Sequence, residues 1–164
     1  MVAIRAINLS DAEALKDLYA SIIEEELPYI LKNAIPSAEE EVSFIQSVLS
    51  HGGMIFVAED KNARLIGMIT LNRLVHPQMM HRATFGISVL HGYRNLGIGK
   101  QLIERATCWC VENDVCQLSL EVLATNPAVG LYRRLNFIEI GVNALGLKVN
   151  GKYQSILTMA KEIV

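Results

Sequence analysis

Two hydrophobic periods alternate along the chain. Apolar and polar residues alternate over residues 2–8, which predicts a first strand. From residue 10 the spacing becomes helical, with Leu15, Leu18, Tyr19 and Ile22 on one face. Ser10 and Glu13 have the spacing of a capping box with Ser10 as N-cap, and this helix is expected to end before Pro28. A second box, Ser37 with Glu40, opens a helix with Val42, Ile45 and Leu49 inward, stopped by Gly52-Gly53. Strand patterns follow at 54–59 and 65–75, joined by a turn at 60–63 and ended by His76-Pro77. A further strand covers 82–90. A long helix then starts near Gly99-Lys100, with Leu102, Ile103, Ala106, Trp109 and Cys110 on one side.

A short strand at 117–123 precedes a helix read from Asn126-Pro127 through Leu135, since proline is tolerated in a first turn. Extended structure resumes at 137–140. Asn150-Gly151 is the strongest hairpin signal, because both residues tolerate the positive φ of a type I′ turn, and it joins 144–149 to 152–159. The order β-α-α-β-β-β-α-β-α-β-β predicts a mixed α/β domain, with early antiparallel strands and then a right-handed crossover through the long helix.

Composition narrows the class. The chain has 164 residues, enough for one domain with a full core. It is 51% hydrophobic and 20% charged, which excludes a disordered chain. A net charge of −2 without a long basic run argues against nucleic acid as the partner. Residues 1–11 lack the form of a signal peptide, and no apolar run approaches the roughly 18 residues that span a membrane. A soluble cytoplasmic protein with no membrane partner is expected. Cys108, Cys110 and Cys116 form no CxxC, so neither a zinc site nor a disulfide framework is suggested, and buried free thiols are expected.

The chemistry-bearing stretch is residues 85–103, which reads as strand, glycine-rich turn and helix start. Such a turn gathers unpaired N–H groups at the positive end of a helix dipole, a ready site for phosphate oxygens. Gly97-Ile98-Gly99-Lys100 is not a Walker A loop, since Gln101 follows the lysine and no glycine stands five before Gly99. It is not a dinucleotide loop either, since the third glycine is missing. What remains is Arg94-x-x-Gly97-x-Gly99.

Within Val89-x-x-x-Tyr93-Arg94-x-x-Gly97-Ile98-Gly99, this pattern resembles the acetyl-CoA signature of the GCN5-related N-acetyltransferases (GNAT). A second block resembles the family's later motif: Leu120-Glu121-Val122-x-x-x-Asn126, then Leu131-Tyr132-Arg133-Arg134-Leu135-Asn136-Phe137. The chain has His91 where the family usually has proline, and Asn136 where it usually has glycine. Asn126 stands one residue closer to Leu131 than usual, which leaves Thr125 as the alternative for that place. The resemblance spans nearly the whole chain. It implies the GNAT (acyl-CoA N-acyltransferase) fold, a mixed, mostly antiparallel central sheet flanked by helices, with residues 1–164 as a single N-acetyltransferase domain.

The implied activity is direct transfer of an acetyl group from acetyl-CoA, without a metal, to the primary amine of a small molecule or amino acid. Acetylation of a protein N-terminus or lysine is one alternative, and a non-catalytic CoA-binding sensor another. Backbone groups of Asn95, Leu96, Gly97, Ile98, Gly99 and Lys100 would take the pyrophosphate, with Arg94 as a nearby cation. Ile87 and Val89 would pair with the pantetheine, Asn126 would assist, and Gly86 suits a bulge or a close approach. Tyr132 matches the general acid that protonates the leaving thiolate. No carboxylate on the strand at 83–90 is placed as a base, so His81, acting through water, is the candidate. The acceptor pocket falls to residues 24–37 and 144–153, where Glu24, Glu25 and Glu26 would attract a cation and Tyr29 and Tyr153 would form walls. Dimerisation is common in the family, so a homodimer is among the expectations.

Overall fold

Alternation inside the central strands dictates a layered molecule. Ile55 and Val57 point to one face of their strand, Phe56 and Ala58 to the other, and all four are buried. Helices must therefore cover both faces. The computed structural model describes residues 1–28 and 34–164. Tyr29 lies outside the described residues, as does part of the 24–37 segment. The elements run β1 (Ala3–Ala6), α1 (Ala12–Glu24), α2 (Ala38–Ser50), β2 (Met54–Glu59), β3 (Leu65–Arg73), β4 (Arg82–Val89), α3 (Ile98–Glu112), β5 (Gln117–Leu123), α4 (Val129–Arg134), β6 (Ile138–Val149) and β7 (Lys152–Glu162). This is the order expected from the hydrophobic pattern.

Among the described residues, seven strands form one sheet in the order β1-β2-β3-β4-β5-β7-β6. Neighbours are antiparallel except β4 and β5, which are parallel and connected through α3. On one face, Leu102, Ile103, Ala106, Trp109 and Cys110 of α3 share a core with Phe56, Ile69, Leu71 and Phe85. On the other, Leu15, Leu18 and Ile22 of α1 and Ile45 and Val48 of α2 cluster with Ile55, Val57 and Leu65. Each buried Val, Leu, Ile or Phe among them contributes about 1.5–3 kcal/mol.

Local chemistry moves several boundaries. The first helix is not capped by Ser10. A 3-10 turn at Leu9–Asp11 precedes it, and Asp11 accepts a hydrogen bond from the Asn8 N–H at 2.7 Å. Arg5 holds the same carboxylate at 2.8 and 3.0 Å and also binds Glu59, so the box that forms is Asn8–Asp11, two residues before the expected one. The Ser37–Glu40 box forms as expected. In α2 the inward residue is Val48, while Leu49 is exposed. The α4 helix starts only at Val129, because the Asn126 side chain accepts the Ala128 N–H at 2.9 Å and folds Asn126-Pro127 into a turn.

The extended segments expected at 137–140 and 144–149 belong to one strand, β6. Its register against β7 shifts at Glu139/Gly141 and Asn143/Leu147, and these bulges interrupt the alternation. Asn150 and Gly151 take φ of 49° and 77°, as the type I′ reading requires. The β3–β4 ladder runs without a register shift past Gly86, so no bulge forms there. Of the cysteines only Cys110 is buried, and burial pushes its thiol up to about 11; Cys108 and Cys116 are exposed.

Candidate active site

The site begins where two parallel strands part. β4 and β5 pair only at Arg82–Gln117, Ala83–Leu118 and Thr84–Ser119. Beyond that, residues 85–89 and 120–123 diverge, and a cavity of about 860 Å³ opens between them. Ladder parity decides which atoms face it. The Arg82 carbonyl accepts from Leu74 N–H, and Leu90 N–H donates to the Ile66 carbonyl, so the even-numbered residues of β4 bond to β3. The odd-numbered residues Phe85, Ile87 and Val89 turn their backbone N–H and C=O groups toward the gap. Such a half-open strand suits an extended amide-bearing chain such as pantetheine.

At the end of the gap lies the glycine turn. Gly92, Asn95 and Gly97 take φ of 83°, 61° and 81°. Gly97 is the N-cap of α3 in the left-handed region. Among the described residues, the N–H groups of Asn95 through Lys100 have no protein acceptor, and the Gln101 N–H is the first to bond within the helix, to Gly97 O at 3.0 Å. Alternating left- and right-handed residues turn such groups inward as an anion-binding nest. This donor set fits a pyrophosphate. Asn95, Gly97, Gly99 and Lys100 line the cavity. Leu96 points to solvent and Ile98 into the core, so these two offer only their backbones.

Arg94 lines the cavity, yet its charge is already engaged. Its Nε donates to Val89 O at 2.8 Å, and its Nη2 is ion-paired with Glu25. Glu25 also accepts the His91 N–H at 2.8 Å. The acidic end of α1 therefore straps the loop in place, and Glu25 is spent on that task rather than left to attract an acceptor. Tyr93 anchors the other side, its hydroxyl donating to Asp60 at 3.1 Å. Asn126 lines the cavity, with its side-chain oxygen used in the turn before α4.

Tyr132 stands on the cavity wall, 5% exposed. Its ring packs edge-on against Phe85 at 5.9 Å and Phe137 at 6.1 Å. Its position depends on how α4 ends: Asn136 adopts φ of 67°, and the Phe137 N–H turns back to Tyr132 O at 3.0 Å. Among the described residues the hydroxyl has no hydrogen-bond partner, and desolvation pushes its pKa up to about 12. The phenol is therefore a proton donor throughout the neutral range.

A second cavity, of about 430 Å³, adjoins the first and shares Phe85, Gly86, Leu120 and Glu121 with it. Thr84, Ser119 and Thr158 add polar groups. Strand alternation puts Thr84, Gly86, Ser119 and Glu121 on the sheet face opposite the α3 core. Glu121 is the residue that sequence reasoning missed. In Leu118-Ser119-Leu120-Glu121-Val122 the polar positions alternate with apolar ones, which marks a shared face but not what that face meets. His81 lies elsewhere. It is exposed, absent from both cavity walls, and its carbonyl accepts the Cys116 N–H at 2.7 Å. Tyr153 is also exposed, off both walls, with the Lys148 ammonium 5.1 Å from its ring centre. Among the described residues no group of three or more His, Cys, Asp or Glu is placed to hold a metal, and no helix is long and apolar enough to cross a membrane.

The model of the acetyltransferase (GNAT) domain matches residues 51–139. No curated protein matches the sequence. Solved structures superpose over almost the whole chain. The acetyltransferase of GNAT family from Streptococcus pneumoniae is 23% identical with a TM-score of 0.91, over 99% of this chain and 100% of that chain. The ribosomal-protein-alanine N-acetyltransferase from Brucella melitensis is 22% identical with a TM-score of 0.86, over 98% and 99%. A GNAT superfamily phosphinothricin acetyltransferase from Sinorhizobium meliloti, solved in complex with AcCoA, is 19% identical with a TM-score of 0.86, over 99% and 88%. At these identities the structural likeness speaks for the fold.

Proposed function

This chain belongs to the GNAT family of acetyltransferases, and from that premise we propose that it moves an acetyl group from acetyl-CoA to the primary amine of a small molecule or amino acid by direct attack. The observation that carries this reading is the parted β4–β5 pair, with the nest of free N–H groups at one end and the buried Tyr132 phenol on its wall. Residues 95–100 bind the pyrophosphate through their backbones. Ile87 and Val89 align the pantetheine, and a strand N–H on the gap side polarises the thioester carbonyl. Arg94 acts by holding the loop in shape.

The amine nitrogen forms a bond to the carbonyl carbon, and the carbon–sulfur bond breaks. The nitrogen gives up one proton and the departing sulfur gains one. Tyr132 donates the second proton. For the first, Glu121 is the better-placed base than His81, since it lines both cavities at their junction. A lysine-like amine with pKa of about 10.4 is roughly a thousandth neutral near pH 7.4, so the attacking species is that neutral fraction, and Glu121 takes, directly or through water, the one proton the nitrogen sheds as its bond to carbon forms.

Thiol release from acetyl-CoA, screened against small amines, amino acids and peptides, tests the proposal. Turnover with small amines or amino acids supports it. Turnover with peptides alone favours a protein acceptor, and tight CoA binding without release under any condition favours a sensor.

A further inference from the structure

The smaller cavity carries two opposite charges at opposite ends. Glu121 stands where it meets the larger cavity, and Arg82 lies at the far end, with Thr84 and Ser119 between them. Arg82 is half-buried. Its Nε donates to Gln117 at 2.9 Å and its Nη1 reaches Met79 Sδ at 3.9 Å, but no carboxylate among the described residues pairs with it. Nor does the Glu121 carboxylate have an ion-pair or hydrogen-bond partner among the described residues. A guanidinium facing a cavity without a counter-ion is a standing site for a carboxylate.

From this arrangement we infer that the acceptor is a zwitterion, an amino acid whose carboxylate is held by Arg82 while its amine lies beside Glu121 at the mouth of the gap. The inference rests on the acetyltransferase reading and names the acceptor class within it. Arg82 sits on the rung of Gln117, four residues before Glu121 on β5. That offset is about 13 Å between backbones. Two charge-assisted contacts of about 2.8 Å each, with the two side chains leaning inward, leave room for a compact amino acid. Orientation follows from the shared walls. The junction residues Phe85, Gly86, Leu120 and Glu121 face the gap, so the reacting nitrogen belongs at that end and the carboxylate at the other. Thr84 offers a hydroxyl along the way, while the buried Ser119 hydroxyl donates to the Ala83 carbonyl at 3.4 Å.

The test compares the twenty L-amino acids with their C-terminal amides as acceptors, using the wild-type protein and the Arg82→Gln and Arg82→Lys variants. The amide keeps the amine and removes the negative charge. Its amine is also less basic and hence more often neutral, so a preference for the acid runs against intrinsic reactivity. The expected result is that the best acid has a KM about 10- to 100-fold below that of its amide, with the difference in KM rather than kcat. Arg82→Gln should bring that ratio close to one, and Arg82→Lys should restore part of it. Melting curves report whether each variant folds. Equal KM values for acid and amide in the wild type would overturn the inference and leave the acetyltransferase reading intact. If no member of the panel is acetylated by a protein that binds acetyl-CoA, the zwitterion assignment fails; if acetyl-CoA does not bind at all, the acetyltransferase reading fails with it.

Discussion

Replacing Tyr132 with phenylalanine removes one oxygen from the active-site wall and leaves everything else in place. The ring contacts at 5.9 and 6.1 Å survive, and so does the burial of the side chain. What disappears is a hydroxyl with no partner among the described residues, whose ionisation is opposed by burial. A buried hydroxyl left without a partner costs about 1–3 kcal/mol, and its opening onto the cavity makes that an upper bound here. For a chain of this size 1 kcal/mol corresponds to about 2–4 °C in Tm. Tyr132→Phe should therefore melt at the wild-type temperature or a few degrees above it. Catalysis should move the other way, since loss of a general acid typically costs about 10²–10⁴-fold in kcat. The pH dependence carries a further sign. Only the protonated phenol can donate, and with its pKa pushed up to about 12 it stays protonated across the range of ordinary assays. Any alkaline fall in kcat below about pH 10.5 must then come from another group. Thiol release at saturating acetyl-CoA and a thermal melt give both numbers. Near-normal turnover, or a Tm several degrees lower, would refute the reasoning.

Three other outcomes follow from the geometry. A Cβ on Gly86 meets nothing within 4 Å and projects toward the junction of the two cavities; Gly86→Leu should cut kcat/KM for the acceptor by about 10²-fold through misplacement, while calorimetry shows acetyl-CoA still bound. A double-mutant cycle of Glu25→Gln and Arg94→Gln should give a coupling energy of about 1–3 kcal/mol in denaturant melts, since the side chain of Glu25 is only 12% exposed and has two partners in the loop; no coupling would remove the strap. In the native protein two thiols, Cys108 and Cys116, should react promptly with an aromatic disulfide, and Cys110 only after unfolding.

How much of this was readable beforehand depended on the range of the interaction. The bounds of β2 and β5 coincide with those read from the sequence, because both strands lie inside the sheet with a neighbour on each side and are bounded by turn residues. Asn136 and Asn150 take the positive φ that their chemistry permits. Contacts between distant parts of the chain were hidden. Arg94 carries the charge of a phosphate ligand in any local reading, and only the fold shows Glu25, 69 residues earlier, neutralising it. The same holds for Arg5, whose guanidinium is bound by Glu59, 54 residues later. Glu121 was hidden differently: its strand shows clean alternation, but the face it points to becomes a cavity only because β4 and β5 stop pairing after Thr84 and Ser119. Nothing in the sequence marks where a ladder ends. The two exposed cysteines belong to the same class, since hydrophobicity alone predicts burial.

The central claim is that the glycine turn and the parted strands form the acyl-CoA site. Gly97, at the centre of that site, caps the helix, with φ of 81° and open space beyond its Cα. Aspartate takes that left-handed conformation at a strain of about 1–2 kcal/mol and sets a negative charge at the helix N-terminus where the pyrophosphate must lie. Calorimetric titration of acetyl-CoA into the wild-type protein should show one site per chain, and Gly97→Asp should weaken it by at least about tenfold, or 1.4 kcal/mol. Equal affinity in the two proteins, or no binding by the wild type, would contradict the account.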